Sequence, residues 1–262
     1  VKNQEYQMGH FTGKTVIVTG ASSGIGLACC RLFHHEGANL VLVARRSELL
    51  KQICRELGEN NRLLTISGDV TQVNIRQQAV SEALVRFGCI NILVNCAGIL
   101  EGGSLEKTSL EDWQRMFDIN VTAVFHLMQL CLPELKKTRG NVVNVSSITG
   151  LRAFPGILAY CASKAAVDQL TRCAALELAP DGVRVNGINP GVIETHLHKA
   201  GGMEAEAYQA FLEHSKATHP LGRVGQAEEV AELIAFLASE KAAWITGVSY
   251  AIDGGRGQTC LR

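Results

Sequence analysis

Thr15-Val16-Ile17-Val18-Thr19-Gly20-Ala21-Ser22-Ser23-Gly24-Ile25-Gly26 is the stretch that decides the fold. Thr15 to Val18 is a β-branched run ended by Thr19-Gly20, and it reads as a short strand buried on both faces. Apolar residues then recur at helical spacing from Ile25 to Glu36, and Gly37 stops the pattern before a second strand, Asn39 to Val43. The three glycines therefore fall in the strand-to-helix turn of a βαβ unit. There they let backbone approach a phosphate while the helix N-terminus supplies N–H groups and a positive dipole, which suits the pyrophosphate of a dinucleotide.

Outward from this unit the alternation continues. A helix is expected from about Ser47, a strand over Leu63 to Ser67, a helix through Ala79 and Phe87, and a strand from Asn91 to Val94. One long helix over Leu110 to Lys137, with Pro133 near its end, leads to a strand at Asn141 to Ser146. A helix over Tyr160 to Ala179, a strand over Val183 to Ile188, a helix over Ala227 to Leu237 and a strand over Val248 to Ile252 complete the series. Residues 194–214 are polar and only partly helical in pattern, and they read as a substrate lid. Alternation of this kind predicts an α/β fold with a doubly wound parallel sheet and helices on both faces. With no linker, repeat or low-complexity stretch, residues 1–262 read as a single domain. Its ligands should sit beyond the carboxyl ends of the strands.

Two other motifs nearly fit the opening stretch. Gly20-Ala21-Ser22-Ser23-Gly24 satisfies the G-x-S-x-G pattern of a hydrolase nucleophile, but it would put that serine on the first strand with no oxyanion loop upstream. Gly13-Lys14-Thr15 ends like a phosphate loop, yet the required first glycine falls on Met8 and the lysine precedes the strand.

The end of the second strand chooses the dinucleotide. An acidic residue there would hold the ribose 2′-hydroxyl of NAD, but this chain has Ala44 followed by Arg45 and Arg46. Guanidinium groups at that place pair with the 2′-phosphate of NADP, so NADP is favoured, with NAD as the alternative. A solvated arginine pair at a helix entrance is the plainer reading. Asp69, after the third strand, either accepts from an adenine amino group or caps the next helix.

Tyr160 and Lys164 stand four residues apart and so share a helix face. A phenol is a poor acid or base at neutral pH unless positive charge stabilises its phenolate, and Lys164 supplies that charge. With Ser147 and Asn120, which alone would read as a strand-end hydroxyl and a packing amide, the pair forms a set suited to moving a proton.

These residues together resemble the short-chain dehydrogenase/reductase family over nearly the whole chain, including members similar to 3-oxoacyl carrier-protein reductases. Gly20, Ser22, Ser23, Gly24, Ile25 and Gly26 match its cofactor turn, Asn95-Cys96-Ala97-Gly98 its sheet-end motif, and Asn120 its helix asparagine. Ser147 matches its catalytic serine, and Pro190-Gly191 with Thr195 match the segment around the nicotinamide carboxamide. Cys96 departs from the usual second asparagine, which implies a small packing change. The resemblance implies a Rossmann-type sheet of about seven strands in the order 3-2-1-4-5-6-7, further cofactor contacts at Val70 and Ile193, and a homotetramer that uses Tyr250 to Asp253. It also implies hydride transfer between nicotinamide and a carbonyl carbon. Ser147 would then hold the carbonyl oxygen, Tyr160 would move its proton, Lys164 would bind the ribose, and Asn120 would anchor a relay water. An NAD-preferring hydroxysteroid or polyol dehydrogenase, and a nucleotide-binding sensor without turnover, are the alternatives.

Composition narrows the partners. Lysine plus arginine and aspartate plus glutamate each number 25, so no charge excess steers the chain to nucleic acid or an anionic membrane. The partner expected is a small carbonyl or alcohol substrate. Nine cysteines, an odd number with no C-x-x-C pair, read as reduced thiols in a cytoplasmic protein, with Cys29 and Cys30 as buried hydrophobes. The first residues show no signal-peptide core, and no uninterrupted apolar stretch of membrane-spanning length follows. His34 with His35, and His196 with His198, lack further ligands at metal spacing, so no metal is expected. His196 or His198 could still reach substrate from the lid. Phe154, Ile157, Leu158 and Leu197 hint at a hydrophobic ligand, and Lys136, Lys137 and Arg139 offer a basic rim for an acidic carrier.

Overall fold

The computed structural model describes residues 9–195, 197, 201 and 204–259. Seven strands pair in parallel throughout, in the order 3-2-1-4-5-6-7. They are β1 (Thr15–Thr19), β2 (Asn39–Ala44), β3 (Leu63–Ser67), β4 (Ile92–Asn95), β5 (Asn141–Val145), β6 (Arg184–Pro190) and β7 (Ser249–Ile252). Every residue of β1 is buried, because helices cover both faces of the sheet. Val16 and Val18 point into a cluster beneath α1 (Gly24–His35) and the helix Ala227–Ala238. Ile17, between them, joins the opposite cluster with α3 (Val73–Phe87). This is the two-residue alternation of a strand between two apolar layers. Cys29 and Cys30 lie in the first cluster with no exposure. Between α1 and α3 on the chain, α2 (Ser47–Glu56) buries Leu50 and Ile53 against the β2 side of the sheet.

The long helix expected over Leu110 to Lys137 runs unbroken from Leu110 to Thr138, as α4 (Leu110–Phe117), a π-helical turn (Asp118–Thr122) and α5 (Ala123–Thr138). The wide turn aims Asn120 inward, a local distortion of the kind that sequence periodicity does not announce. Pro133 lies within α5, which continues to Thr138. By length and hydropathy the run Leu110–Thr138 is apolar enough to cross a membrane. Its Ala123, Val124, Leu127, Met128, Cys131 and Leu135 are instead buried in the core beside α3 and β4.

A short helix, α6 (Ile148–Leu151), not foreseen from sequence, precedes α7 (Leu158–Leu178). The expected lid contains part of α8 (Ala205–Thr218), whose Tyr208 and Leu212 pack on Val192 and Val224. The Tyr208 hydroxyl donates to the Thr195 carbonyl at 3.0 Å. The chain closes through α9 (Ala227–Ala238), β7 and a 3-10 turn, Arg256–Gln258. His196 and His198, one of them expected to reach substrate, lie outside the described residues.

Candidate active site

The strand order reverses between β1 and β4, and a crevice opens beyond their carboxyl ends. Thr19 ties the two together, its Oγ1 accepting from the Cys96 and Ala97 N–H groups at 3.1 and 3.0 Å. Asn95 Nδ2 donates to Asn144 Oδ1 on β5 at 2.9 Å, and Asn144 Nδ2 donates to Thr171 Oγ1 on α7 at 3.0 Å. Asn95, expected at the cofactor, thus lies behind the crevice and couples β4 to β5. Its place in the pleat turns the side chain to the face that α7 covers.

The crevice is a cavity of about 760 Å³, a size that ligand sites commonly have. Gly20, Ser22, Ser23, Gly24, Ile25 and Gly26 form one end, with Arg45, Arg46, Asp69 and Val70 beside them. Ala97 and Gly98 form its floor, and Ser147, Tyr160, Lys164, Pro190, Gly191, Ile193 and Thr195 line the other end. Cys96 also lines the cavity while packing against the cluster that holds Cys29.

The glycine end fits a dinucleotide pyrophosphate. Gly20 and Gly24 take φ of +67° and +53°, a conformation that favours glycine. A Cβ on Gly20 would lie 3.0 Å from the Ala97 nitrogen, so the wall there is bare backbone. No side chain caps the first turn of α1, which leaves its N-terminal end open to an anion. Arg46 Nη2 donates to Ser22 Oγ at 3.1 Å, so a guanidinium stands at the rim of the turn. Asp69 Oδ1 accepts from Thr71 N and Oγ1, both at 2.9 Å, and the residue before α3 is Gln72, so Asp69 does not cap that helix.

At the other end, α7 places Tyr160 and Lys164 on one face, each 5% exposed. Lys164 Nζ stands 5.6 Å from the Tyr160 ring centroid and donates to the Val145 carbonyl at 2.8 Å. Ser147 begins α6, its Oγ accepting from Thr149 N at 3.2 Å, so it caps backbone and faces the cavity at once. Asn120 Oδ1 accepts from Ile99 N at 2.9 Å, while Nδ2 donates to Ile99 O and Ser163 Oγ, each at 3.0 Å. That amide holds the π turn against α7 and the Gly98–Ile99 loop. These bonds engage the Asn120 side chain within the protein, between the π turn and α7.

Burial pushes the Tyr160 phenol up to about 12, against a downward pull from the Ser147 hydroxyl. Burial lowers Lys164 to about 8 from its ordinary 10.5, opposed by the Asp168 carboxylate one turn further along α7. Between those two values the unfolded chain holds the extra proton, so folding stability rises with pH from about 8 to about 10.5 on this group's account. The thermal midpoint of the ligand-free protein, measured against Lys164→Met, should therefore gain several degrees, on the order of 5 °C, between pH 7.5 and 10. A constant gap between the two proteins across that range would show an ordinary lysine.

A model of the family described as enoyl-(acyl carrier protein) reductase matches residues 20–256. Meso-2,3-butanediol dehydrogenase of Serratia marcescens is 36% identical over 94% of this chain and 95% of its own length. The chain belongs to the short-chain dehydrogenase/reductase family. The 3-oxoacyl-[acyl-carrier-protein] reductase of Thermotoga maritima is similarly close, at 37% identity over 93% of this chain and 97% of the reductase. Among solved structures, a short-chain dehydrogenase/reductase of unknown function from Caenorhabditis elegans, determined with cofactor, superposes with a TM-score of 0.90. It is 34% identical and covers 96% of this chain and 97% of that one. As a short-chain dehydrogenase/reductase the protein is an oxidoreductase of a family that uses nicotinamide cofactors and acts on small molecules.

Sequence reading missed two features of this site. Glu101 and Arg115 line the cavity as an ion pair at 2.5 Å. Arg256, just after Asp253-Gly254-Gly255, reaches the same cavity. Lys136 pairs with Asp181 and Lys137 with Glu134 at the end of α5, next to the amino end of β5. The basic rim expected of Lys136, Lys137 and Arg139 thus stands at the opposite end of the sheet from the cavity.

Proposed function

We propose that the protein is an NADP(H)-dependent oxidoreductase that interconverts a carbonyl and a secondary alcohol, with one Rossmann-type unit carrying both cofactor and substrate. The observation that carries this reading is the meeting of Ser147, Tyr160 and Lys164 on one cavity whose far end is the uncapped glycine turn. Nicotinamide would supply the hydride to the carbonyl carbon, or accept it from the alcohol. In reduction Tyr160 donates its hydroxyl proton to the substrate oxygen, and in oxidation it takes the proton back. Ser147 Oγ donates a hydrogen bond to the same oxygen, which gains negative charge along the reaction. Lys164, as an ammonium, favours the phenolate of Tyr160 and binds the nicotinamide ribose. Asn120 holds α4, α5 and α7 in register, so it positions Tyr160 and does not itself touch substrate.

NADP over NAD rests on Arg45 and Arg46 at the cavity rim and on Ala44, which leaves no carboxylate at the end of β2 to repel a 2′-phosphate. Calorimetric titration should find NADPH bound at least tenfold more tightly than NADH, roughly the value of one charge-assisted contact. Arg45→Ala with Arg46→Ala should remove that preference and leave NADH within about twofold of its original affinity. Tighter NADH binding by the wild-type protein would instead favour the NAD-dependent polyol or hydroxysteroid dehydrogenase, a reading that the butanediol-oxidising relative keeps in play.

The proposal includes a cytoplasmic homotetramer. The eight described cysteines are all free thiols, which suits a reducing compartment. Leu176 and Trp244 stand 79% and 101% exposed, with Tyr250 on β7 also open, which is the kind of apolar surface that an interface covers.

A further inference from the structure

The cavity has two cationic ends, and the reading above uses only one. Arg45 and Arg46 follow β2, near one edge of the sheet, whereas Arg256 follows β7 at the other edge. Arg256 belongs to the side of Ser147 and Tyr160. Its neighbour Gly257 lies against Ile148, the residue after Ser147, close enough that an added Cβ would stand 2.7 Å from Ile148 Cδ1. The guanidinium carbon stands 5.1 Å from the centroid of the Phe154 ring, on the loop that leads into α7.

Among the described residues, Arg256 lacks the partners that a half-buried guanidinium ordinarily collects. Its Nε is buried without a hydrogen-bond acceptor, and among the described residues no carboxylate comes within ion-pair distance. Asp253, the acid that acts on it electrostatically, is held elsewhere. One oxygen accepts from Gly255 N at 2.9 Å and the other from Gly257 N at 2.6 Å. Contact with the face of Phe154 leaves the in-plane N–H groups of Arg256 available, and those match a carboxylate in geometry and charge. The other charged pair on the wall, Glu101 with Arg115, neutralises itself. The cavity lining nearest Arg256 includes hydrocarbon from Phe154, under the guanidinium, and Ile148, against Gly257.

We propose that Arg256 is the docking point for a carboxylate on the substrate, so that this site takes oxo acids and hydroxy acids with an apolar body. The inference rests on the oxidoreductase reading for the reaction but not for the binding, and the two are tested apart. The probes are oxodecanoates with the ketone at successive carbons, each beside its methyl ester, titrated calorimetrically into the protein with and without NADPH and then assayed for reduction. The proposal expects at least one acid to bind tenfold or more tightly than its own ester. Arg256→Gln should abolish that preference without weakening the ester, and Arg256→Lys should keep part of it. The idea is overturned if no acid in the series outbinds its ester, or if Arg256→Gln weakens acid and ester alike. Acids that bind through Arg256 but are reduced with neither NADPH nor NADH would sustain the docking site and sink the oxidoreductase reading. Should Arg256→Gln fail to fold, the wild-type comparison of acid with ester and the lysine variant decide the matter.

Discussion

Tyr160→Phe is expected to lower kcat by about three orders of magnitude while leaving dinucleotide affinity within about threefold, because positioned acid–base groups contribute on the order of that factor. The substitution removes one oxygen from a side chain that packs in a cluster with Met116 and Ala159, beside Ile99, Leu100 and Trp113. Phenylalanine fills the same space, and the loss of one hydrogen bond costs about 1 kcal/mol, so the thermal midpoint should move by only about 3 °C. The phenol stands at about 12 in the ligand-free protein, so at neutral pH it holds the proton that carbonyl reduction consumes. Its two neighbours on the cavity wall do not replace it, since Ser147 is a weak acid and Lys164 donates to the Val145 carbonyl. Steady-state rates with the best carbonyl substrate, set beside calorimetric binding of NADPH, check the result. Turnover within tenfold of wild type would remove Tyr160 from the chemistry.

Much of the fold could be read from spacing because each strand is a short β-branched run closed by a turn, and each helix repeats at its own period. β3 occupies the expected residues, and β1 and β2 differ from expectation by one residue at their ends. The π turn was not legible, since the apolar pattern passes smoothly through Asp118 to Thr122 with no glycine or proline to mark it. What produces it is a partner distant in sequence, the backbone of Ile99, which binds Asn120 at both ends of its amide. The misplaced basic rim has a similar origin. Lys136 and Lys137 look like any helix terminus in sequence, but in a parallel α/β sheet a helix ends at the amino edge, away from the ligand. Tyr160 and Lys164 were legible because their relation is local, four residues on one helix. Arg256 was not, because its place beside Phe154 comes from the packing of β7 and its following turn against α6.

Gly26→Ala should be the most damaging single-methyl change at the cofactor end. An added Cβ would lie 2.4 Å from the Gly20 carbonyl oxygen and 2.8 Å from its carbon, so the opening of α1 must move away from the turn after β1. Both contacts are backbone, and neither can rotate aside. Overpacking of this kind costs about 2 kcal/mol, which lowers the thermal midpoint by about 6 °C in a chain of this size. Binding should suffer more than stability. A turn shifted by roughly 1 Å no longer presents its N–H groups where the pyrophosphate lies, and misplacement on that scale costs about a hundredfold. Gly102→Ala gives the contrast, since its Cβ would meet only the Gly156 carbonyl oxygen at 3.8 Å, and a shift within about 0.5 kcal/mol is expected there. If Gly26→Ala bound NADPH as the wild type does, the pyrophosphate would not lie on this turn, and the cofactor end of the cavity would need to be reassigned.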